Sequence, residues 1–422
     1  MRQLPNRQIL AWACYDWANS AFATVVMAGF FPLFFKQYWS AELPVTESTF
    51  HLSVANSLAG LLIVLLAPLL GAIADAGSLR KRMLFLFAAL GILMTASLYG
   101  IGQGQWLAAL ISFVLAVLGF MGSVVFYDAL ILNVAPEHEL DRVSALGFGL
   151  GYLGGGLLFA FDVAMTLWPE TFGLADAAEA VRLSFLSVAV WWALFSIPLF
   201  LWVPETQGER IRFGVAVRRG LGQLRHTFDE VRRLRVVFLF LLAYWLYIDG
   251  VDTIIRMAVD YGMSIGLDSE GLIIALLITQ FVGFPAALGF GLLGQRWGAK
   301  RGILLALGVY LLVTVWAYFM DSSREFYILA VAIGLVQGGV QSLSRSLYAR
   351  LIPPDKSAEF FGFYNMMGKF AAVLGPVMMG TVGLLTGSPR AGILSVGLLF
   401  VLGALLLLFV DEEEGRQAAR GL

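Results

Sequence analysis

A few charged side chains interrupt the long hydrophobic stretches of this sequence. Those inside otherwise apolar segments include Asp16, Asp128, Asp249, Asp252 and Arg345. A charge at the centre of a bilayer costs at least roughly 2.5–3.5 kcal/mol on insertion scales, so each of these groups needs a partner or a function. Buried carboxylates and arginines are the groups with which membrane proteins carry protons and hold polar solutes. Their placement therefore predicts a transport pathway.

Asp16 is followed about one helical turn later by Asn19 and Ser20. It lies about seven residues into the first apolar segment, or roughly 10 Å at 1.5 Å per residue, which is deep enough for desolvation. A desolvated carboxylate can carry a proton, whereas amide and hydroxyl oxygens beside it equally suit a sodium ion or a polar group of a substrate. The alternative is a structural carboxylate that holds a neighbouring helix. We favour function, because ionisable residues in spanning helices are functional by default.

The seventh apolar segment carries Asp249, Asp252 and Arg256 at positions i, i+3 and i+7, on one face of a helix. Asp252 and Arg256 have the i, i+4 spacing of a pair that neutralises itself, so a structural pair and a binding role both remain open for them. Asp249 has no such neighbour in its own helix. We therefore expect Asp249 to face a central cavity.

Asp128 and Arg345 occupy equivalent positions, since Asp128 lies eight residues before Pro136 and Arg345 lies eight before Pro353. This spacing predicts an ion pair between two halves of the protein, because either charge buried alone would be costly. Gln341 adds a hydrogen-bonding group one turn before Arg345. A zwitterionic or anionic solute could displace one partner of the pair, and a static clamp is the alternative.

Membrane-spanning helices must position these residues. Of the 422 residues, 59% are hydrophobic and 14% are charged, whereas ordinary globular chains carry about 25% charged residues. Windows of about 20 apolar residues, the length that crosses a bilayer core, predict twelve helices at 9–38, 51–75, 82–101, 106–134, 143–168, 182–203, 235–263, 270–295, 301–320, 325–352, 358–387 and 390–410. The sequence thus predicts an all-α polytopic membrane protein and excludes a soluble domain.

Lysine and arginine residues gather on one side of these helices, which predicts that both termini are cytoplasmic. The first residues, MRQLPNRQIL, run into the first helix without a small-residue cleavage site, so we expect an uncleaved first span. The long polar connection 204–234 mixes arginines with apolar residues, which predicts an amphipathic helix on the membrane surface. It separates predicted six-helix bundles at 1–203 and 235–410, and 411–422 forms a predicted cytoplasmic tail.

Two loops of similar pattern follow the second and eighth predicted helices. GAIADAGSLRKR and GLLGQRWGAKR, at 71–82 and 291–301, each contain glycine, a polar residue four positions later, another glycine and a basic pair. The repeat predicts two pseudo-symmetric bundles whose loop charges make and break contacts as the bundles rock. Charge that only sets topology is the alternative. The predicted gating residues are Asp75, Arg80, Lys81, Arg296, Lys300 and Arg301.

The loops and the two halves resemble the major facilitator superfamily, whose loop signature reads G-x-x-x-D-R-x-G-R-[RK]. Ala76 replaces the basic residue of the first copy, and Gln295 replaces the acid of the second. Within that superfamily, YDWANSAFATVV (15–26), FYDALILNVAP (126–136), GFGLGYLGGG (147–156) and SRSLYARLIPP (344–354) resemble the vacuolar effluxer-like family. The resemblance implies the major facilitator fold and export or exchange of small solutes, with amino acids the substrates attributed to fungal members.

The function class follows from these features together. The sequence contains no P-loop, HExxH or nucleophile-elbow motif, so a gradient must drive transport. We predict a secondary transporter of a small polar solute, with an amino acid favoured and a proton as the coupling ion. The alternative is a sodium- or proton-coupled transporter of a sugar or another organic metabolite. A membrane-embedded enzyme and a channel are weaker alternatives.

The expected environment is equally specific. Cys14, the single cysteine, excludes an intrachain disulfide, and a net charge of −1 gives no bias toward nucleic acid. We expect no cofactor beyond the coupling ion, no bound metal and no nucleic-acid partner. The predicted partners are a small-molecule substrate and the lipid bilayer. We expect a monomer in the cytoplasmic membrane.

Overall fold

The computed structural model describes residues 6–43, 45–205, 234–266 and 269–420, and the described chain is helical with no strand. Twelve long helices and one short one follow each other in this part of the chain: α1 (Arg7–Trp39), α2 (Val45–Gly77), α3 (Arg80–Ser97), α4 (Trp106–Ala129), α5 (Leu140–Leu167), α6 (Ala177–Trp202), α7 (Arg235–Ser264), α8 (Ser269–Trp297), α9 (Ala299–Phe319), α10 (Ser323–Leu351), α11 (Ser357–Thr386), α12 (Pro389–Leu408) and α13 (Glu412–Arg420). The prediction of an all-α, multi-pass protein is confirmed.

Eleven of the described helices are both long and apolar enough to cross a membrane. The remaining predicted span, 358–387, corresponds to α11, a continuous helix of 30 residues. Its stretch Leu374–Thr386 is apolar. Its first part carries the polar or charged residues Glu359, Asn365 and Lys369.

The predicted connections are described only in part. Nearly all of the predicted amphipathic linker, 206–233, lies outside the described residues. The predicted tail, 411–422, contains the helix α13, which the sequence did not lead us to expect.

We refer to α1–α6 as the N-terminal half and to α7–α12 as the C-terminal half. Within the N-terminal half α1 packs on α5 and α6, and within the C-terminal half α7 packs on α11 and α12. The halves meet mainly where α5 packs on α8 and α10 and where α2 packs on α11. Helices α1 and α7 share no interface of comparable size in the described residues. The space between the two halves is therefore lined by α1, α7 and the inner faces of their neighbouring helices.

Glycines bring the helices that carry the site into close contact. A Cβ atom on Gly71 of α2 would collide with the carbonyl oxygen of Ala358 at the start of α11. On α5, a Cβ on Gly147 would lie 2.5 Å from Asp16 Oδ2, and one on Gly151 would lie 2.5 Å from Ser20 Oγ. Small residues allow such approach between membrane helices. The glycines of α5 thus set the depth at which α1 lies against it.

Helix α1 departs from regular α-helical geometry after Ser20. Residues Phe22–Phe30 and Phe35–Trp39 form π-helical turns, separated by a short α-helical stretch. Widened turns of this kind occur frequently at functional sites, because they change the direction of the side chains that follow. The irregular part begins within two residues of the polar group formed by Asp16, Asn19 and Ser20.

Candidate functional site

Arg345 of α10 lies at the centre of the polar interior, with 2% of its surface exposed. Its Nη1 atom lies 3.1 Å from Asp128 Oδ1, and its Nη2 atom lies 3.2 Å from Asp16 Oδ2. The predicted contact between Asp128 and Arg345 is therefore confirmed. Asp16, for which the sequence predicts no charged partner, is a second acidic partner. One arginine of the C-terminal half thus joins two carboxylates of the N-terminal half.

The remaining donors of the guanidinium are taken by Ser144 of α5. Arg345 Nε donates to Ser144 Oγ at 2.9 Å, and Nη2 donates to the Ser144 carbonyl oxygen at 2.9 Å. The hydroxyl of Ser144 in turn donates to the Ser342 carbonyl oxygen at 2.7 Å. Because every nitrogen of the guanidinium has an acceptor, its burial leaves no unpaired N–H group.

Aromatic rings complete the surroundings of the guanidinium. Its Cζ atom lies 4.2 Å from the ring centroid of Phe148, 4.8 Å from that of Trp12 and 5.4 Å from that of Tyr127. These distances are within the range of cation–π attraction. The Tyr127 hydroxyl donates to Asp16 Oδ2 at 2.8 Å, so the same ring also orients the carboxylate of α1.

Asp128 receives a second contact from the C-terminal half. Asn365 of α11 donates from Nδ2 to Asp128 Oδ2 at 3.2 Å. We call Asp16, Asp128, Ser144, Arg345 and Asn365 the Arg345 cluster. It contains two carboxylates and one cation, so it carries an excess negative charge when both acids are ionised. Binding one proton, or one further cation, would neutralise it.

The other predicted residues near α1 and α10 lie beside this cluster. Asn19 is buried, and its Nδ2 atom has no hydrogen-bond partner among the described residues. Ser20 is partly exposed and lies against Gly151. Gln341 accepts a hydrogen bond from the Tyr152 hydroxyl at 2.8 Å, one turn before Arg345. These groups place further amide and hydroxyl functions within one turn of the charged residues.

The structure does not bring the acidic residues of α7 into the Arg345 cluster. Asp249 is fully buried and accepts hydrogen bonds from the Gly375 amide and the Thr253 hydroxyl. The expectation that Asp249 faces the central cavity is therefore corrected, because its carboxylate turns toward α11. Asp252 and Arg256 lie 3.9 Å apart, and 45% of the Arg256 side chain is exposed. This geometry favours the self-neutralising pair over a binding role.

Comparisons with known proteins agree with this architecture. The model of the family described as "Vacuole effluxer Atg22 like" matches residues 41–420. The MFS-type transporter YxiO of Bacillus subtilis (strain 168) is 39% identical over 411 residues, which cover 97% of this chain and 96% of that protein. This chain belongs to the Atg22-like family.

More distant relatives show the extent of the likeness. Autophagy-related protein 22-2 of Emericella nidulans is 26% identical over 321 residues, 68% of this chain, and the matched part spans about half (54%) of that protein. Among solved structures, the proton:xylose symporter XylE superposes with a TM-score of 0.75 at 14% identity, covering 97% of this chain and 96% of that one. The human organic anion transporter MFSD10 gives 0.73 at 17% identity, covering 96% and 100%. The fold is that of the major facilitator superfamily.

Family and fold together settle the class of this Atg22-like protein. It is a multi-pass membrane transporter of the major facilitator superfamily, as the resemblance in the sequence implied. Its neighbours are transporters and not enzymes, which agrees with the prediction that the chain is not an enzyme.

The first predicted gating loop of the Atg22-like protein contacts the opposite half. Asp75, at the end of α2, lies 2.6 Å from Arg80 Nε and accepts hydrogen bonds from the amides of Ala358 and Glu359 at 3.3 and 2.8 Å. These amides belong to the first turn of α11, where carboxylates are favourable. Arg80 also donates to the carbonyl oxygen of Asp355 at 3.0 Å. This group, the Asp75 junction, links the two halves at the predicted cytoplasmic face.

The second loop makes a different junction. Gln295 reaches only the His138 carbonyl oxygen, at 3.4 Å. The charged contact is instead formed by Asp141 of α5 and Arg350 of α10, which lie 2.6 Å apart. Ser346 donates to Asp141 at 2.5 Å. This Arg350 junction also links the halves at the predicted cytoplasmic face, and it uses residues that the sequence reasoning did not select.

The helix α13 extends the Arg350 junction. Glu412 lies 3.5 Å from Arg350, and Arg416 lies 3.2 Å from Glu137 at the start of α5. A polar cavity of about 490 Å³ lies between α13, the α8–α9 connection and the start of α5. The tail of the chain therefore contacts both halves.

Within the part of the chain that the structure describes, two of the predicted gating residues, Lys81 and Lys300, contact their own half. Lys81 donates to the carbonyl oxygens of Phe200 and Val203 at the end of α6, and Lys300 does the same to Leu408 and Val410 at the end of α12. Each lysine is the second residue of its helix and caps the last helix of its own half, where a cation is favourable. Arg296 and Arg301 are exposed at the surface. The prediction of direct contact with the opposite half is corrected for Lys81 and Lys300, and the gating role of Arg296 and Arg301 stays a prediction.

One further group lies beside Lys81. Glu205, just beyond the end of α6, accepts a hydrogen bond from the Lys81 amide at 3.3 Å. Partial burial raises the pKa of Glu205 above its ordinary value. The contact ties the beginning of the connection between the halves to the start of α3.

Sequence reasoning missed several members of the site. Ser144 and Asn365 gave no signal beyond being polar residues in apolar helices. Asp141 and Arg350 lie near helix ends, where charge usually marks topology. The internal repeat did offer a signal for Arg350. It lies five residues after Arg345, as Asn133 lies five residues after Asp128, so the two occupy equivalent positions in the two halves.

Proposed function

We propose that this Atg22-like protein is a proton-coupled secondary transporter of a small polar solute that carries a carboxylate, with an amino acid as the first candidate. The observation that carries this proposal is the Arg345 cluster. A single arginine of the C-terminal half holds Asp16 and Asp128 of the N-terminal half at 3.2 and 3.1 Å. A solute bound between the two halves at this depth would contact both of them.

The excess acid supports coupling to protons. Two carboxylates share one guanidinium, and the cluster is buried between helices, so a proton on one acid removes the cost of the second negative charge. A sodium ion could neutralise the same site, and Asn19 and Ser20 would offer oxygen ligands. We favour the proton, because either of the two carboxylates that share the guanidinium could take it up without any further ligand.

The donors of Arg345 support a solute with a carboxylate. A solute carboxylate could replace Asp16, which contacts Nη1 and Nη2 through Oδ2, or Asp128, which contacts Nη1 through Oδ1, and form a charge-assisted hydrogen bond with the guanidinium. The displaced aspartate would then be available to an ammonium group of the solute. An amino acid carries both groups at the required short separation, and the Atg22-like family is described as vacuole effluxers. A sugar is the alternative cargo, since XylE, a proton:xylose symporter, shares the fold.

Alternating access supplies the mechanism. The Asp75 and Arg350 junctions join the halves at one face, whereas α1 and α7 share little packing in the described residues. Rocking of one half against the other would break the junctions and close the opposite face. We place the protein in the cytoplasmic membrane with both termini cytoplasmic, on the distribution of its basic residues. We propose that it works as a monomer without a cofactor.

Counterflow into proteoliposomes tests this function. Vesicles loaded with a mixture of unlabelled amino acids should accumulate the labelled substrate transiently, and an imposed pH gradient should drive net accumulation. Asp16→Asn should abolish gradient-driven accumulation, because a neutral amide cannot release a proton. Glu170→Gln, at an exposed loop position, is the matched control and should behave as wild type. Accumulation by Asp16→Asn that equals wild type would exclude Asp16 from coupling, and absence of counterflow with all amino acids would exclude them as cargo.

A further inference from the structure

A second buried acid, Asp249 on α7, lies apart from the Arg345 cluster. None of its surface is exposed. Its Oδ1 atom accepts hydrogen bonds from the Gly375 amide at 3.0 Å and from the Thr253 hydroxyl at 3.3 Å. Its Oδ2 atom is buried and has no hydrogen-bond partner among the described residues. Such an atom would be left unpaired on an ionised carboxylate, but it can hold the proton of a neutral carboxylic acid.

Among the described side chains, no lysine or arginine forms an ion pair with Asp249. The nearest cation along α7, Arg256, faces Asp252 instead. The side chain of Lys369, on α11, lies outside the described set. With no cation paired to it among the described side chains, an acid buried in this way is favoured in its protonated form.

Among the described side chains, the groups that face this part of α7 from the other helices are neutral. From α10, Ser344 shares a hydrogen bond with Tyr247 at 2.7 Å. From α12, Phe400 lies against Gly250, and Tyr310 of α9 stacks on the far side of that ring at a centroid distance of 5.1 Å. The charged residue next to Asp249 along α7 is Asp252, which disfavours a second negative charge.

The contact between Asp249 and Gly375 links this acid to the rest of the site through one helix. At its first turn, α11 is held by Asp75 through the Glu359 amide at 2.8 Å. In its middle, Asn365 contacts Asp128 at 3.2 Å. At Gly375, where a Cβ atom would collide with Thr253 Oγ, α11 lies directly against α7. Pro376 follows and removes one N–H group from the helix, which weakens α11 at this place.

We propose that Asp249 is a second proton-carrying site, and that loss of its proton loosens α11 from α7. An ionised Asp249 needs water or a cation at Oδ2, and either can enter only if α7 and α11 separate. Helix α11 also contributes to the Asp75 junction and carries Asn365. Its movement therefore links the protonation of Asp249 to the face that the Asp75 junction closes. The inference deepens the proposed function, since it assigns a proton site beyond the Arg345 cluster.

Hydrogen exchange of the purified full-length protein in lipid nanodiscs tests the proposal without any solute or gradient. The readout is exchange of α11 peptides around Gly375, corrected for the intrinsic effect of pH. In the wild type, exchange there should rise severalfold from mildly acidic to alkaline pH. In Asp249→Asn, which mimics the protonated acid, it should remain at the acidic level. Failure here leaves transport untouched, so it is distinguishable from failure of the proposed function.

Asp162 of α5 provides the matched control. It is also fully buried, and its contacts come from Ser187 of α6, at 3.0 and 3.3 Å, within the N-terminal half. Asp162→Asn should retain the wild-type pH response of α11. If Asp249→Asn does not fold, Thr253→Val should move the rise in exchange to higher pH, because the ionised acid loses a donor. A flat wild-type profile, or the wild-type response in Asp249→Asn, would overturn the proposal.

Discussion

The two junctions between the halves take their charges from different elements. At the Asp75 junction, the carboxylate and Arg80 both come from the α2–α3 connection and hold the start of α11. At the Arg350 junction, the carboxylate is Asp141 at the start of α5, and the arginine reaches it from α10. Each junction therefore contains one buried carboxylate and one arginine, although the loop supplies both in one case and neither in the other.

The difference follows from two positions in the loops. Arg80 is the first residue of α3, whereas Ala299 is the first residue of α9. Asp75 has Gln295 as its counterpart in the second loop. The second loop has no acid and its arginines, Arg296 and Arg301, lie at the surface, so Asp141 and Arg350 form the charged contact. Lys81 and Lys300, by contrast, make the same contacts in both halves. The two repeats thus share a carboxylate–arginine contact, although residues at different positions form it.

The largest effect is expected at the Asp75 junction. Asp75→Ala leaves the buried Arg80 without its carboxylate and removes two acceptors from the first turn of α11, which should cost about 3–5 kcal/mol in the closed state. The face should open. Distances between spin labels on the two halves at this face should lengthen, and the thermal midpoint should fall.

Lys81→Met is the matched control for that experiment, because Lys81 lies in the same loop and contacts only its own half among the described residues. It should lower stability by at most about 1 kcal/mol and leave the inter-half distances unchanged. Unchanged distances in Asp75→Ala, or equal opening in both variants, would show that the Asp75 junction does not hold this face closed.

Arg350→Ala should have a similar but smaller effect. Asp141 would lose its cation, yet it would keep the hydrogen bond from Ser346, so we expect the lower end of about 3–5 kcal/mol. Combining it with Asp141→Asn should recover part of the loss, since no charge would then stay unpaired. Chemical denaturation of the single and double variants measures this. A double variant less stable than Arg350→Ala would contradict a paired role.

Removal of 411–422 should have the smallest effect. The contacts of Arg416 and Glu412 are partly exposed, with Arg416 at 30% and Glu412 at 23% of side-chain surface, and such pairs contribute about 0–1 kcal/mol. Asp141 and Arg350 would remain together. The truncated protein should keep the closed face in spin-label distances. Opening comparable to that of Arg350→Ala would show that α13 is an essential part of the junction.

Much of the fold could be predicted from the sequence, because hydrophobic length and repeated spacing determine it. The equal distances from Asp128 to Pro136 and from Arg345 to Pro353 predicted their contact correctly. The participation of Asp16 could not be predicted, because it depends on how far α1 is rotated against the glycines of α5. The direction of Asp249 could not be predicted for the same reason, since the rotation of α7 about its axis decides whether an acid faces the interior or a neighbouring helix.

The junctions show a second limit of the sequence. Basic residues near helix ends carry the same topological signal whether they lie at the surface, as Arg296 does, or cross between the halves, as Arg350 does. Their contacts depend on which helix ends meet, and that is set by the packing of α5 on α8 and α10. Spacing alone does not reveal that Arg80 contacts the opposite half whereas Lys81 caps a helix of its own half.

The most direct test of the Arg345 cluster keeps its charge and changes its shape. Arg345→Lys retains one cation, but a single ammonium cannot bridge Asp16, Asp128 and Ser144 as the planar guanidinium does. The measurement is the initial rate of amino-acid counterflow in proteoliposomes, normalised to folded protein. We predict a loss of at least about tenfold, equivalent to about 1.4 kcal/mol, in a protein that still folds. Counterflow at the wild-type rate in Arg345→Lys would contradict the assignment of this cluster as the transport site.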